Sequence, residues 1–238
     1  MLALMDKKNP SPKKESLKCK YCDKEYKTQR GFDKHECEKK LRFEVRGTKA
    51  AAIGLHAFNN FYRTQMGGTK LKSYADFESS PYYRAFLKFG NYCVETKVLE
   101  PEQFAEYLLS KRVRVDLWCK DKQYDNFLIY LLQHEPVAKA LERAILYSHE
   151  WAKNAGAEPR DLFRYAVDHR LVGAIVSGKI SPWVIYNCNS GKNFLDELPG
   201  AYMDSVWEYI DANIWEKIFE DRPEDVAFAK TILTTAGW

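Results

Sequence analysis

Apolar residues recur at intervals of three and four along most of this chain, a period that predicts helices punctuated by proline and glycine. Leu55, Phe58 and Tyr62 line one such face, which Gly67-Gly68 ends. Ser79-Ser80-Pro81 reads as a cap with proline at the first helical position, opening a helix that carries Tyr82, Tyr83, Phe86, Leu87 and Phe89. Pro101 and Glu102 start another, burying Phe104, Tyr107 and Leu108. A longer pair follows, with Tyr124, Leu128, Leu131 and Leu132 on the first and Val137, Leu141, Ile145 and Trp151 on the second, divided at Pro136 and stopped near Gly156. After Pro159 the period resumes from Leu162 through Val176, with Gly178 as a stop, and Ser181-Pro182 opens a short apolar turn. Further helices are predicted over Phe194 to Leu198, around Met203, Val206, Trp207 and Ile210, and from Pro223 to Thr234. Only Arg112 to Trp118 alternates like a strand, and a lone strand has nothing to pair with.

The period is absent before residue 50. Residues 1–16 are too charged and proline-rich to pack, and read as a disordered basic arm. Residues 17–40 are short of apolar positions but hold Cys19, Cys22 and Cys37, three of the six cysteines. The others, Cys93, Cys119 and Cys188, are scattered through apolar surroundings, as core-filling thiols in a reducing compartment would be. The expected fold is mostly α: a small ββα finger over 17–40, then an all-α helical domain over 41–238 with a break near 156. No apolar run is long enough to span a membrane and no leader peptide is recognisable, which fits a cytoplasmic protein.

Charge sharpens this division. The chain carries +4 overall, but residues 1–49 hold a net +7 and the remainder −3, so a polyanionic partner would be met at the front.

Two cysteines three apart on a tight turn can offer both thiolates to one tetrahedral zinc, and a histidine thirteen positions later can approach from a helix; Cys19, Cys22 and His35 have that spacing. Tyr26, four after Cys22, and Phe32, six further on, occupy the matching apolar positions. The stretch resembles a C2H2 zinc finger at metal, core and spacing together. The pattern then departs from that family, because Cys37 follows His35 by only two positions. Residues two apart on a continuous helix point about 200° away from each other, so the helix must end or distort at His35 for Cys37 to reach the metal. Cys37 is the favoured fourth ligand; His56 and an incomplete or water-bearing site are the alternatives.

In fingers that read DNA, three helix positions face base edges. The resemblance puts them at Thr28, Gly31 and Lys34, and glycine reads nothing. Lys20, Lys24, Lys27, Arg30, Lys34, Lys39, Lys40, Arg42 and Arg46 instead suit phosphate contacts, which give affinity and salt dependence without sequence information.

The body offers no phosphate loop, dinucleotide fingerprint, nucleophile elbow or paired-histidine metal helix, so a non-enzymatic role is expected. Asp168-His169-Arg170 reads as an exposed polar face. The order of Tyr82-Tyr83 with Phe86 and Leu87, Leu171-Val172 through Ser177, Lys179-Ile180-Ser181 with Val184-Ile185, Asn193-Phe194-Leu195-Asp196 and Val206-Trp207 resembles the helical part of the helicase-loading proteins of T4-like bacteriophages. That resemblance implies a DNA-binding accessory factor of phage replication or recombination, with a helicase or single-strand-binding protein as partner. The alternatives are a transcription regulator, a structural assembly protein in which the finger docks a partner, and a metal-dependent nuclease or other enzyme.

Overall fold

The computed structural model describes residues 17–238, so the basic arm expected at 1–16 lies outside the described residues. The chain opens with two very short strands, β1 (Leu17–Lys18) and β2 (Glu25–Tyr26), antiparallel with Leu17 opposite Tyr26 and Lys18 opposite Glu25. Helix α1 (Gln29–Asp33) completes the expected ββα order. The finger does not end at residue 40. Helix α2 (Glu38–Val45) runs across that boundary, and the natural division is the turn at Arg46-Gly47-Thr48, where Thr48 caps the next helix by accepting from the Ala51 N–H at 3.2 Å.

Helix α3 (Lys49–Gln65) follows, then α4 (Tyr74–Ser79), α5 (Tyr83–Glu95) and α6 (Pro101–Ser110). Sequence periodicity missed α4, whose start is set by a capping box in which Ser73 and Asp76 satisfy each other's backbone N–H groups. Its presence places Ser79 at the end of a helix rather than at the start of α5. Helices α3 and α5 lie backbone to backbone. A Cβ on Gly90 would stand 1.9 Å from the Ala50 carbonyl oxygen, and one on Gly54 would stand 2.8 Å from that of Phe86. Only glycine admits so close a crossing.

Rings fill the space this crossing leaves. Phe58, Phe77, Phe86, Phe89, Phe104 and Trp118 are fully buried, with Phe86 and Phe89 packed edge-on to Trp118 at 5.4 and 5.1 Å. The segment with strand-like alternation is the loop that delivers this tryptophan. It contains a single tight turn at Val115–Leu117, and the Trp118 indole N–H donates to the Val113 carbonyl at 3.0 Å. Its alternation arises because a loop lying on the surface turns Val113 and Val115 half inward and Arg112 and Arg114 outward.

Helices α7 (Asp121–His134) and α8 (Val137–Ala155) form the expected long pair, ended at Gly156. The turn between them buries Glu135, whose carboxylate takes two 2.7 Å hydrogen bonds from Arg143, while Arg143 Nε donates to the Gly178 carbonyl. The later run divides into α9 (Leu162–Tyr165) and α10 (Asp168–Val176), followed by the wholly buried α11 (Pro182–Ile185), α12 (Asn189–Glu197) and α13 (Gly200–Ile210). Helix α14 (Ala212–Asp221) was not expected; Asp211 alone ends α13 and caps α14, accepting from the Asn213 N–H at 2.9 Å. Its Trp215 and Phe219 pack on Trp183 at 6.0 and 5.0 Å. Helix α15 (Pro223–Thr235) lies against α8, α11 and α14. Buried apolar contacts continue from Ala57 to Leu233, so the expected break near 156 separates no two cores. Among the described residues no helix is long and apolar enough to cross a membrane.

Candidate metal centre

A tight turn between the strands makes the first half of the site. The Cys19 N–H donates to the Lys24 carbonyl and the Asp23 N–H to the Cys19 carbonyl, both at 2.9 Å, and Asp23 takes a left-handed conformation (φ 59°) that aspartate tolerates better than most residues. This doubles the chain back so that Cys22 faces Cys19. The backbone N–H groups of Tyr21 and Cys22 and the thiols of Cys22 and Cys37 aim at Cys19 and pull its pKa down to about 6. A thiol so disposed is ready to act as a thiolate ligand.

Helix α1 supplies the second half and stops in time to do so. Thr28 caps it by accepting from the Gly31 N–H at 3.2 Å, and Lys34 already lies outside helical geometry. His35 therefore lies past the helix end, its N–H donating to Phe32, and its ring packs against Tyr26 at 5.0 Å. Tyr26 also meets Phe32 edge-on at 5.9 Å, so both expected apolar positions hold the histidine in place. Because α1 has ended, Cys37 is free to turn inward; it adopts extended geometry (φ −96°, ψ 105°) and caps α2, its Sγ accepting from the Lys40 N–H at 3.3 Å. Burial pushes the Cys37 thiol up, and the Lys40 N–H opposes that.

The three sulfurs and the imidazole nitrogen lie within 4.8 Å of one another, with Cys22 Sγ 3.2 Å from His35 Nε2. These four residues could hold a metal ion. His56 lies elsewhere, on α3, with Nε2 2.8 Å from Asn60 Nδ2 and Nδ1 3.8 Å from Glu102.

The nine basic residues singled out by composition separate into two groups. Lys20, Lys24, Lys27, Arg30, Lys34, Lys39 and Lys40 are exposed around the finger. Arg42 and Arg46 point into the body instead. Arg42 pairs with Glu38 at 2.6 Å, donates to the Glu78 carbonyl and covers the Tyr83 ring at 4.8 Å. Arg46 pairs with Glu78 at 2.5 Å and covers Tyr74 at 5.0 Å. Arg84 closes the network on Glu38 at 2.9 Å, and Arg42 with Arg84 holds the Glu38 carboxyl below the usual carboxylate range. Helix α2 thus latches the metal cluster to α4 and α5. Sequence reasoning missed the partners Glu78, Arg84, Tyr74 and Tyr83, since no local spacing connects positions more than twenty-five apart.

In the body, Asp168, His169 and Arg170 are exposed, as expected of a polar face. Cys93 and Cys188 are buried and Cys119 half-buried, all three as free thiols. Burial drives the Cys93 pKa to about 12, so it is not poised to react. Comparison of the chain with the profiles of known protein families, with curated proteins and with solved structures finds no match.

Proposed function

We propose that the Cys19, Cys22, His35 and Cys37 cluster holds one structural zinc ion, and that the finger it folds is a non-enzymatic module binding DNA through its phosphates. Bond lengths of about 2.3 Å to sulfur and about 2.0–2.1 Å to nitrogen put tetrahedral ligand atoms roughly 3.5–3.8 Å apart, a spacing this cluster needs only small shifts to adopt. Three thiolates and an imidazole suit zinc, and four protein ligands leave no open position for a reactive water, which favours a structural ion over a hydrolytic one. The observation that carries the DNA reading is the division of the cations. Two arginines are spent on the body, while seven lysines and arginines stay exposed around a finger whose Thr28 hydroxyl is occupied as a helix cap. Cations displayed without a base-reading side chain bind phosphates and not sequence. The helical body is the part that engages a protein partner, and the setting we propose is accessory work in phage replication or recombination, including helicase loading.

Titration of forked, duplex and single-stranded DNA at several salt concentrations tests the reading. Wild-type affinity is expected to fall steeply with salt and to ignore sequence. Replacing Lys24, Lys27, Arg30 and Lys34 together by alanine is expected to flatten the salt slope by up to about 0.9 for each phosphate that is no longer neutralised. An unchanged slope removes the finger from the DNA interface, and a sequence-selective weakening on changing Thr28 replaces phosphate binding with base reading.

A further inference from the structure

Where the finger docks on the body it leaves an open groove of about 690 Å³, within the ~300–1,000 Å³ range of small-ligand sites. One wall is the metal turn, with Lys20 and Tyr21; another is α2, with Lys39 and Phe43; the floor is α4, at Ala75 and Ser79. Tyr21 and Phe43 stand together, ring centres 5.4 Å apart, and Phe43 keeps 55% of its surface exposed although it is a large apolar side chain on a short polar helix. The acidic residue in the groove, Glu78, is already paired with Arg46, and its carbonyl accepts from Arg42. Lys40, beside the rim on α2, is paired with Glu44 at 3.6 Å, so the charge at the rim that has no carboxylate partner among the described residues is that of Lys20, whose ammonium lies 5.0 Å from the Tyr21 ring centre, and Lys39.

We propose that this groove takes an unpaired nucleobase of a single strand, stacked on the Tyr21 and Phe43 rings with its phosphate held by Lys20 and Lys39. Flat apolar faces next to free cations are the means by which proteins bind single strands without sequence preference. An apolar peptide would fill the ring pocket but leave the rim lysines unanswered; a polynucleotide satisfies both. The inference rests on the DNA reading above and deepens it, since it gives the finger two distinct surfaces. Lys24 and Lys27, which flank β2, with Arg30 on α1 and Lys34 just after it, meet phosphates of any strand, and the groove selects those whose bases are unstacked.

The test compares an unlabelled duplex and a pyrimidine single strand competing for the full-length, zinc-loaded protein, using wild type, Phe43→Ala, Phe43→Leu and Lys39→Ala. Phe43 is not one of the four cluster residues but packs on Tyr21 in the Cys19–Cys22 turn, so the zinc content of each variant is measured first and is expected to stay at one ion per chain. Phe43→Ala and Phe43→Leu are expected to weaken single-strand binding roughly 5- to 100-fold while leaving duplex binding within about twofold. The leucine variant preserves apolar bulk and removes only the stacking face. A 5-iodouracil oligonucleotide is expected to photocrosslink to Tyr21 or Phe43 in the wild type. If wild type binds DNA but both Phe43 variants bind single strands as tightly as it does, the groove is not a base site and the phosphate reading stands alone. If neither duplex nor single strand binds wild type, both readings fall. If Phe43→Ala abolishes capture of an acidic, leucine-rich peptide and leaves DNA binding intact, the groove is a peptide site and the proposal fails.

Discussion

Between Leu17 and Lys49 only Cys19 and Cys37 are fully buried, and neither α1 nor α2 contains a fully buried residue. The body, by contrast, encloses three tryptophans and six phenylalanines with almost no surface exposed. At about 25 cal/mol per Å² the body's burial can offset the entropy of ordering its helices, whereas the finger has too little apolar area to do so. The one place in the finger where four side chains converge is the thiol and imidazole cluster. On the proposed reading the two regions reach a fixed structure by different means, metal coordination in one and ring packing in the other. The Arg42 and Arg46 latch is what makes them meet. The difference predicts that each region can be broken without breaking the other.

The largest effect should come from the metal ligands. Cys22→Ser removes one of four donors, and because metal binding in such a module is also its folding energy, on the order of 10 kcal/mol, the finger should lose both stoichiometric zinc and its structure. Metal analysis of the purified variant checks the first, and near-native far-ultraviolet ellipticity checks that the body survives. Next comes the buried pair in the body. Arg143→Leu strands the Glu135 carboxylate, whose side chain is only 2% exposed, and should cost about 3–5 kcal/mol in urea unfolding without changing zinc content. Replacing Glu135 by leucine as well should recover most of that stability, since removing both charges spares the desolvation cost. Gly90→Ala drives a Cβ into the Ala50 carbonyl and should destabilise the body by about 1–3 kcal/mol, read as a lower urea midpoint. The smallest effect belongs to the latch itself. Arg42→Ala removes an ion pair and a cation–π interaction at a partly exposed site and should cost about 1 kcal/mol or less, seen as faster amide exchange in α2 with the metal still bound.

The two regions are also unequally legible in the sequence. The finger can be located from spacing alone, because a tetrahedral ion constrains which side chains meet whatever surrounds them: Cys19, Cys22 and His35 sit at the expected intervals and Tyr26 and Phe32 at the expected packing positions. Even the required helix end before Cys37 is deducible from helix geometry, and α1 does end at Asp33. What spacing cannot convey is the destination of each cation. Arg42 and Arg46 are indistinguishable from the neighbouring lysines until Glu78 and Tyr83, over thirty positions later, are folded against them.

In the body, long helices bounded by proline or glycine are readable: α6 starts at Pro101, α7 stops ahead of Pro136, and α8 lies between Pro136 and Gly156. Two of the three helices that periodicity did not reveal nonetheless carry a local signal. Ser73 and Asp76 form a capping box ahead of α4, and Ile214, Trp215, Ile218 and Phe219 have the helical period in α14. The third, α2, carries no fully buried face and so has no apolar period to detect.

Region-resolved hydrogen exchange, followed by mass spectrometry on the full chain with zinc bound and after chelation, tests the central claim most directly. If metal coordination folds the finger and ring packing folds the body, chelation should abolish protection in residues 17–46 and leave the peptides of α5, α7 and α8 unchanged, with protection restored by one equivalent of zinc. Protection in 17–46 that survives chelation, or deprotection spreading through α5 to α8, would contradict it.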